Sequence, residues 1–206
     1  MFQKRCHKVY NTPYTVVVYF SENTPYEKEA GVLKLTLDVL QISHAIYSFK
    51  SQGSWQKNTQ FKGRFIQFVL DEFKDKPVLY LDADALVIQK PVLFDTIDCD
   101  IAAVHYNKSS ELLSGTVYFA NTPNCKMAVN RWVELNTNYP DILPDGRVAW
   151  DQRTLRLAIF KIPGIKFVEL PQEYTWIVEL TQKSSPGLAP VILHTRGAYR
   201  FQDGVK

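Results

Sequence analysis

The hydrophobic positions of this chain switch between strand-like and helix-like spacing. Residues Tyr14–Phe20 form a continuous run of apolar, β-branched and aromatic side chains, which predicts a strand buried on both faces of a parallel sheet. The segment that follows places Ala30, Leu33, Leu37 and Leu40 at helical spacing, which predicts an amphipathic helix. A strand followed by such a helix is the repeating unit of α/β proteins.

The start of this predicted helix carries a capping sequence, Thr24-Pro25-Tyr26-Glu27. A threonine at the N-cap, a proline at the first helical position and a glutamate at the third help to satisfy the free backbone N–H groups. We therefore expect the Thr24 side chain to cap the helix, and the helix to end near Ser43.

The same alternation continues over the rest of the chain. Further strands are predicted at 44–49, 77–81, 101–104, 116–119, 167–170 and 191–193, and further helices at 59–73, 124–135 and 150–160. Polar or proline-interrupted stretches predict loops at 105–115, 137–149 and 171–190. Because no linker or repeat divides the chain, we expect a single α/β domain over 1–206, with its core at about 14–200 and a mostly parallel central sheet flanked by helices.

The amino-acid composition indicates an ordinary globular protein and leaves the predicted fold unchanged. The 206 residues are 46% hydrophobic and 22% charged, as in globular proteins, which argues against a disordered chain. No apolar run approaches the roughly 20 residues of a membrane span, and the first residues lead into no apolar signal segment. The cysteines Cys6, Cys99 and Cys125 lack the spacing of a zinc site or a disulfide framework. We therefore expect a cytoplasmic protein without a membrane span.

An aspartate pair follows the predicted strand at 77–81. The carboxyl end of that strand delivers Asp82 and Asp84, and ligands of open α/β sheets bind at this edge. Two carboxylates so close repel each other unless a cation joins them, and their oxygens suit Mg²⁺ or Mn²⁺. Twelve aspartates in 206 residues would produce about 0.7 such pairs by chance. A second copy, Asp98-Cys99-Asp100, lacks a preceding apolar strand. The metal prediction for Asp82 and Asp84 therefore rests on their position at the end of such a strand.

The predicted strand at 191–193 leads into His194-Thr195-Arg196-Gly197-Ala198-Tyr199-Arg200. An imidazole at a strand end can complete a metal shell begun by carboxylates. Gly197 allows the backbone to approach a ligand closely, and Arg200 can neutralise phosphate oxygens. Taken alone, a strand-end histidine followed by surface arginines also has an ordinary structural interpretation.

Two further segments are candidates for ligand contact. Ser114 and Gly115 form a step of two small residues before the predicted strand at 116–119, where a ligand can meet the backbone. Trp150-Asp151-Gln152 opens a predicted helix with polar side chains that can orient sugar hydroxyls and an indole that can stack on a ring. The structural alternatives are an ordinary turn for the first segment and an N-cap at Asp151 for the second.

Taken in order, these segments resemble the metal-dependent, nucleotide-sugar glycosyltransferases of the GT-A fold, in particular the glycogenin and lipopolysaccharide galactosyltransferase-like families. The shared order is strand–Asp-x-Asp, Ser-Gly-x-x-x-Phe-x-Asn, Trp-Asp-Gln and a late His-x-x-Gly, which together span roughly Thr15 to Arg200. The resemblance implies a Rossmann-like GT-A domain. It also implies transfer of a sugar from a nucleoside-diphosphate sugar, by family default a UDP-sugar, to an acceptor hydroxyl.

The resemblance further assigns roles at the metal and the nucleotide. It implies that Asp82, Asp84 and His194 hold Mn²⁺ or Mg²⁺, with Asp82 also meeting the ribose. A basic residue on the helix before the aspartate strand contacts the nucleotide in such enzymes, and here Lys62 is favoured over Arg64. The remaining donor-site residues implied in this way are Ala83, Ser114, Gly115, Gly197 and Arg200, the last in place of the family's usual lysine.

Residues at the reacting sugar are implied in the same way. Asp151 and Gln152 would lie at the donor sugar or the acceptor, and Asp151 would be the general base if the enzyme inverts the anomeric centre. If the enzyme retains the configuration, no protein nucleophile is visible in the sequence. The late His-x-x-Gly favours retention.

The sequence leaves other functions and several acceptors open. A nucleotidyltransferase would carry a glycine-rich loop after the first strand, where this chain has Ser21-Glu22-Asn23-Thr24, and a haloacid-dehalogenase-like phosphatase would carry Thr or Val at Leu86. A non-catalytic module that binds nucleotide sugars is the third alternative. The acceptor can be a glycan, a protein, a lipid-linked sugar or a modified nucleic-acid base. The net charge of +3 permits a polyanionic acceptor, although no dense basic block typical of DNA-binding proteins is present.

Overall fold

A computed structural model describes residues 1–74, 76–106, 111–139, 141–144, 146–178, 181 and 187–195. The strands in these ranges are β1 (Gln3–Lys8), β2 (Thr15–Ser21), β3 (His44–Phe49), β4 (Val78–Leu81), β5 (Ala85–Val87), β6 (Ile101–His105), β7 (Leu112–Phe119), β8 (Phe167–Glu169), β9 (Trp176–Ile177) and β10 (Ile192–His194). The α-helices are α1 (Tyr26–Val39), α2 (Trp55–Gln60), α3 (Lys62–Glu72), α4 (Pro123–Asn138) and α5 (Asp151–Ile159), with 3₁₀ helices at Val92–Asp95 and Gln172–Thr175. No helix within the described ranges is both long enough and apolar enough to span a membrane.

Seven strands form the central sheet, in the order β1-β3-β2-β4-β7-β6-β8. β2 pairs in parallel with β3 and β4, and β6 pairs in parallel with β8. β1 and β7 run antiparallel to their neighbours. Among the described strands of this sheet, five therefore point one way and two the other, which confirms the prediction of a mostly parallel sheet.

Helices cover both faces of the central sheet, because its inner strands are apolar on both sides. On β2, Val17 and Tyr19 face a core completed by α3, α4 and α5. The alternate residues Val16 and Val18 face a second core completed by α1, which contributes Ala30, Leu33 and Leu37 as predicted. The continuous hydrophobic run of β2 is thus the consequence of burial on both faces.

A small second sheet joins the end of β4 to the end of the chain. Its order is β5-β10-β9, with β10 antiparallel to β5 and parallel to β9. In the β5–β10 pair, His194 lies opposite Ala85. The short connection between β4 and β5 therefore holds Asp82 and Asp84 beside the last residue of β10.

Three local predictions were wrong, and each has a structural reason. Thr24 does not cap α1: its hydroxyl donates to the Ser21 carbonyl at 2.6 Å, and the N-cap is Pro25. The helix predicted at 59–73 is divided at Phe61, whose ring packs against Phe49 and Phe2. The loop predicted at 105–115 is too long, because residues 112–115 belong to β7, whose inner position buries them.

The sequence also gave no sign of the edge strand β1. Most of its residues are exposed, so it lacks the hydrophobic alternation that identifies a strand. Phe2, just before β1, inserts into an aromatic cluster that includes Tyr19, Phe49 and Phe65. This contact anchors the beginning of the chain to the face of the sheet that α3 covers.

Asn121, the last residue of the Ser-Gly-x-x-x-Phe-x-Asn segment, has a structural role. Its backbone adopts the left-handed conformation at φ 60°, and its side-chain amide donates to the carbonyls of Leu70 and Phe73 at 3.1 and 2.8 Å. Leu70 lies in the last turn of α3 and Phe73 is its C-cap residue, so no donor within the helix reaches their carbonyls. Asn121 thus fixes the carboxyl end of α3 against the end of β7.

Replacement of Asn121 tests this role. We expect Asn121→Ala to lower the free energy of unfolding by about 2–3 kcal/mol, because it removes two hydrogen bonds and forces alanine into a left-handed conformation. Asn121→Gly should cost about 1 kcal/mol less, since glycine tolerates that conformation. Urea unfolding measures both values. Gln41→Gly is the control, because Gln41 is exposed at φ 53° and its replacement should not destabilise the protein. Equal stability of wild type and Asn121→Ala would contradict the assignment.

Candidate active site

The candidate site is built around an irregular segment of β7. The register between β6 and β7 jumps over Ser114, Gly115 and Thr116. On the β4 side, the Gly115 carbonyl accepts a hydrogen bond from the Asp82 amide at 2.8 Å. Bulges of this kind bend a strand and redirect its side chains. Here Ser114 and Thr116 reach two different clusters, described next.

The first cluster surrounds the buried ammonium group of Lys62, at the start of α3. Lys62 Nζ lies 3.0 Å from Asp82 Oδ1 and 2.9 Å from Asp151 Oδ2. It also donates to Ser114 Oγ at 3.0 Å, and Ser114 Oγ in turn donates to Asp151 Oδ2 at 2.6 Å. Four elements, α3, α5, β7 and the end of β4, therefore meet at one lysine.

Lys62 remains charged because its partners outweigh its burial. Its side chain is only 3% exposed. Burial alone would lower the pKa of Lys62, but the charges of Asp151 and Asp82 reverse that effect and raise the pKa above its usual value. An unpaired buried ammonium group costs several kcal/mol, so the two carboxylates are needed to keep Lys62 in place. Lys62 is fully occupied by protein partners and holds Asp82 and Asp151 in fixed positions.

Tyr80 is a member of this cluster that the sequence analysis missed. Its hydroxyl donates to Asp82 Oδ1 at 2.6 Å, and Lys62 Nζ lies 5.1 Å from the centre of its ring. Burial, followed by the charge of Asp82, raises the pKa of Tyr80 well above its usual value, so the hydroxyl stays protonated. Because side chains two apart on a strand share a face, the spacing of Tyr80 and Asp82 is the signal that could have identified it.

The second cluster pairs Asp84 with His194. His194 Nδ1 lies 3.5 Å from Asp84 Oδ1, and both side chains are mostly buried. The other ring nitrogen, Nε2, lies 2.9 Å from Thr116 Oγ1. The backbone and hydroxyl groups of Thr195 both donate to the Asp84 carbonyl at 3.2 Å, which ties the end of β10 to the turn after β4.

Gly115 is the residue that allows the two clusters to approach each other. A Cβ atom at this position would stand 2.9 Å from His194 Cε1 and 3.1 Å from Asp82 Oδ2. The first of these separations is shorter than any ordinary contact of a Cβ atom with another carbon. A larger residue would therefore push His194 or Asp82 away, and glycine is required here by space and not by backbone angle.

The donor set of these clusters fits a hard divalent cation. Lys62, Asp82, Asp84 and Asp151 have a formal charge of −2, from one ammonium and three carboxylate groups. Lys62 and Tyr80 both contact Oδ1 of Asp82, whereas Oδ2 lies on the side of Gly115 and His194. Within the described ranges, no three acidic, histidine or cysteine side chains are already gathered into a metal site. Asp84 and His194 are the adjacent pair that could hold an ion.

An open cleft leads to these carboxylates from the ends of β2 and β4. It encloses about 720 Å³ when the open solvent at its mouth is counted. Its walls combine aromatic and polar side chains, namely Tyr19, Phe20, Ser21, Tyr26, Phe49, Trp55, Asn58, Thr59, Lys62, Tyr80, Asp82, Ala83 and Asp84. Burial raises the pKa of Tyr26 to about 12, with Asp82 and Asp84 adding to the effect, so its hydroxyl stays protonated at neutral pH. The sequence analysis did not single out Trp55, which has no distinctive motif around it.

Two predicted site residues, Arg64 and Gln152, are not part of either cluster. Arg64 is exposed, and its guanidinium group lies 3.5 Å from Thr137 Oγ1 on α4. Gln152 is half-buried on α5, and no contact among the described residues joins it to either cluster. Asp151 itself is 4% exposed. Gly197 and Arg200 lie outside the described residues.

The second Asp-x-Asp copy has a different environment. Asp98 is exposed and pairs with Lys166. Asp100 accepts hydrogen bonds from Thr122 Oγ1 and from the Lys166 amide, so it organises the start of α4. The two Asp-x-Asp copies therefore differ in their position: Asp82 and Asp84 follow an apolar strand, whereas Asp98 and Asp100 do not.

Comparison with solved structures identifies the fold. The chain is similar to a glycosyltransferase involved in the glycosylation of the major capsid of PBCV-1, with a TM-score of 0.66 and 16% identity over 92% of this chain and 95% of that chain. It is also similar to the apo-form glycosyltransferase GlyE of Streptococcus pneumoniae TIGR4, with a TM-score of 0.64 and 15% identity over 91% of this chain and 55% of that chain. Mouse xyloside xylosyltransferase 1 in its apo form gives a TM-score of 0.55 and 12% identity over 91% and 98%.

These similarities show that the chain has a GT-A-like glycosyltransferase fold, as the sequence resemblance implied. At identities of 16% and below, they establish the fold alone. The chain spans about half the length of GlyE. No protein-family model and no curated protein sequence matches the chain.

The Lys62 cluster predicts strong coupling between its members. Lys62→Met should lower the free energy of unfolding by about 3–5 kcal/mol, because it leaves two carboxylates uncompensated. The double variant Lys62→Met/Asp151→Asn should lose less than the sum of the two single variants, by about 1 kcal/mol or more. Denaturant unfolding of the four proteins measures this coupling.

A surface pair supplies the control for that cycle. Lys166 and Asp98 are both exposed, so Lys166→Met should change stability by no more than about 1 kcal/mol. Additive effects at positions 62 and 151, within about 0.5 kcal/mol, would show that the cluster is not a coupled unit.

Proposed function

We propose that this protein is a metal-dependent glycosyltransferase that moves a sugar from a nucleoside-diphosphate sugar to an acceptor hydroxyl. The observation that carries the proposal is the pairing of Asp84 with His194 beside Asp82, at the carboxyl edge of the sheet of a GT-A-like fold. Ligands of open α/β sheets bind at this edge. The aromatic cleft that opens onto these residues gives a nucleotide sugar a place to bind.

The metal would be held by Asp84 and His194, with Asp82 Oδ2 on the same side of Gly115. Two carboxylates and an imidazole suit Mn²⁺, and Mg²⁺ is the alternative. When bound, the ion would act as a Lewis acid toward the departing diphosphate. Further positive charge for the diphosphate would come from Arg200, by the sequence resemblance, because Lys62 is engaged by Asp82 and Asp151.

The protein's own residues prepare this site before any ligand binds. Lys62 and Tyr80 fix one oxygen of Asp82, which leaves the other oxygen facing the His194 side. Preorganised groups of this kind need no rearrangement during the reaction, and such preorganisation is usually the largest contribution to catalysis. The aromatic side chains Tyr26, Phe49 and Trp55 can contact the base or the sugar of the donor, for which we favour UDP.

The environment of Asp151 favours a retaining reaction. A general base must reach the proton of the acceptor hydroxyl within hydrogen-bond distance. Asp151 is buried, and its Oδ2 is occupied by Lys62 and Ser114. We therefore assign Asp151 to the positioning of Lys62, which leaves transfer without a base or protein nucleophile as the mechanism most consistent with the site. The acceptor remains a glycan, a protein, a lipid-linked sugar or a modified nucleic-acid base.

A screen of donors tests the proposal. Each nucleotide sugar is incubated with the purified protein and Mn²⁺, and slow hydrolysis is measured with and without a chelator. We expect at least one donor to be hydrolysed only when Mn²⁺ is present. Asp84→Ala and His194→Ala should each lower that rate by at least roughly 100-fold, since each removes a group that holds the ion. Asp98→Ala, in the other Asp-x-Asp copy, should leave the rate unchanged.

Two results of this screen would overturn parts of the proposal. Normal Mn²⁺-dependent turnover in Asp84→Ala would refute the metal assignment. Calorimetric binding of a nucleotide without hydrolysis or transfer of any donor would instead favour a non-catalytic binding module.

The stereochemical proposal has a separate test. Once a donor and an acceptor are known, proton NMR of the early product should show the same anomeric configuration as the donor. Asp151→Asn should reduce activity mainly through lower stability of the Lys62 cluster, without creating a new pH dependence. A product of opposite configuration would contradict the assignment and restore Asp151 as the candidate general base.

A further inference from the structure

We propose that Thr116 is a positioning residue that fixes the orientation and tautomer of His194, so that Nδ1 is presented to a divalent cation. The inference rests on the proposed function for the identity of the cation. Thr116 was not among the site residues that the sequence predicted. Its basis is the geometry of the imidazole between Thr116 and Asp84.

The imidazole has a different neighbour at each nitrogen. Nε2 lies 2.9 Å from Thr116 Oγ1, an ordinary hydrogen-bond distance. Nδ1 lies 3.5 Å from Asp84 Oδ1, which is long for a hydrogen bond between these groups. A neutral imidazole carries its proton on only one nitrogen. A cation on the Asp84 side requires an unprotonated Nδ1, and the short contact then places Thr116 Oγ1 to accept a hydrogen bond from Nε2–H.

Thr116 is well suited to hold the ring in this way. It is fully buried, and its backbone lies opposite Leu81 in the pairing of β4 with β7. Its hydroxyl is therefore anchored to the strand that delivers Asp82 and Asp84. His194 is itself nearly inaccessible, so water cannot easily replace the hydroxyl as the partner of Nε2. Gly115, the preceding residue, provides the space in which the ring lies.

Metal-binding histidines generally require such a partner. The second ring nitrogen donates to a protein oxygen, which fixes the tautomer, and loss of that partner typically lowers metal affinity by about 10–100-fold. Threonine is an adaptable partner, because its hydroxyl can accept or donate. Removal of the Thr116 hydroxyl should therefore weaken the metal site without removing any ligand.

The first test adds saturating Mg²⁺, a diamagnetic ion, to the wild-type protein. Ring ¹⁵N chemical shifts distinguish the Nε2–H tautomer from the Nδ1–H tautomer, and His194→Gln identifies the His194 signals among those of the four histidines. We expect the Nε2–H tautomer for His194 when Mg²⁺ is bound. A predominant Nδ1–H tautomer with Mg²⁺ bound would overturn the proposal without any variant at position 116.

The second test compares Thr116→Val with Thr116→Ser. Valine keeps the shape and removes the hydroxyl, whereas serine keeps the hydroxyl. We expect Thr116→Val to lose the single tautomer and to bind Mn²⁺ about 10–100-fold more weakly in an electron paramagnetic resonance titration, with Thr116→Ser close to wild type. Thr15→Val, at another buried threonine of the central sheet, is the control and should match wild type. Wild-type ring shifts and Mn²⁺ affinity in Thr116→Val would refute the role of Thr116.

These readouts separate the failure of this inference from the failure of the proposed function. A wild-type protein that binds Mn²⁺ and turns over a donor, while Thr116→Val binds Mn²⁺ equally well, refutes only the role of Thr116. A wild-type protein with no affinity for Mn²⁺ or Mg²⁺ overturns the proposed metal dependence and the metal-related part of this inference. Circular dichroism and thermal unfolding confirm that each variant is folded.

Discussion

Carboxylates gathered at one edge of a sheet repel each other, and the need to compensate them governs the structure of this protein. Asp82, Asp84 and Asp151 converge there from β4, the turn after it and α5. Lys62 pairs with Asp82 and Asp151 from inside the fold, at 3.0 and 2.9 Å. One ammonium group and three carboxylates have a formal charge of −2, and such a set favours a bound cation. The same electrostatic constraint therefore explains a buried lysine and supports a proposed metal.

The topology brings the parts of the site together. β4 passes from the central sheet into the small second sheet through a turn, and this turn holds Asp82 and Asp84 next to His194 at the end of β10. The irregular segment of β7 then supplies Ser114 to the lysine cluster and Thr116 to the histidine. Gly115 lies between them, and its lack of a side chain lets both clusters pack against the same strand.

Much of the fold could be predicted from the sequence, because the inner strands β2, β3 and β4 and the buried face of α1 carry strong hydrophobic patterns. The edge strand β1 could not, since its exposed side chains leave no such pattern, and β5 and β9 are too short to have one. In the site, the position of Asp82 and Asp84 after an apolar strand was informative. The contact of Lys62 with Asp151 joins residues far apart in the chain, and only the packing of α3, α5 and β7 defines it.

The central claim is that Asp84 and His194 form the protein's part of a cation site that faces the donor cleft. Diffraction data collected at the manganese absorption edge, from crystals soaked with Mn²⁺ and UDP, test it most directly. We expect one strong anomalous peak within bonding distance of an Asp84 carboxylate oxygen and of His194 Nδ1, on the side that faces the diphosphate. A nucleotide bound in the cleft with no anomalous peak between these residues would contradict it.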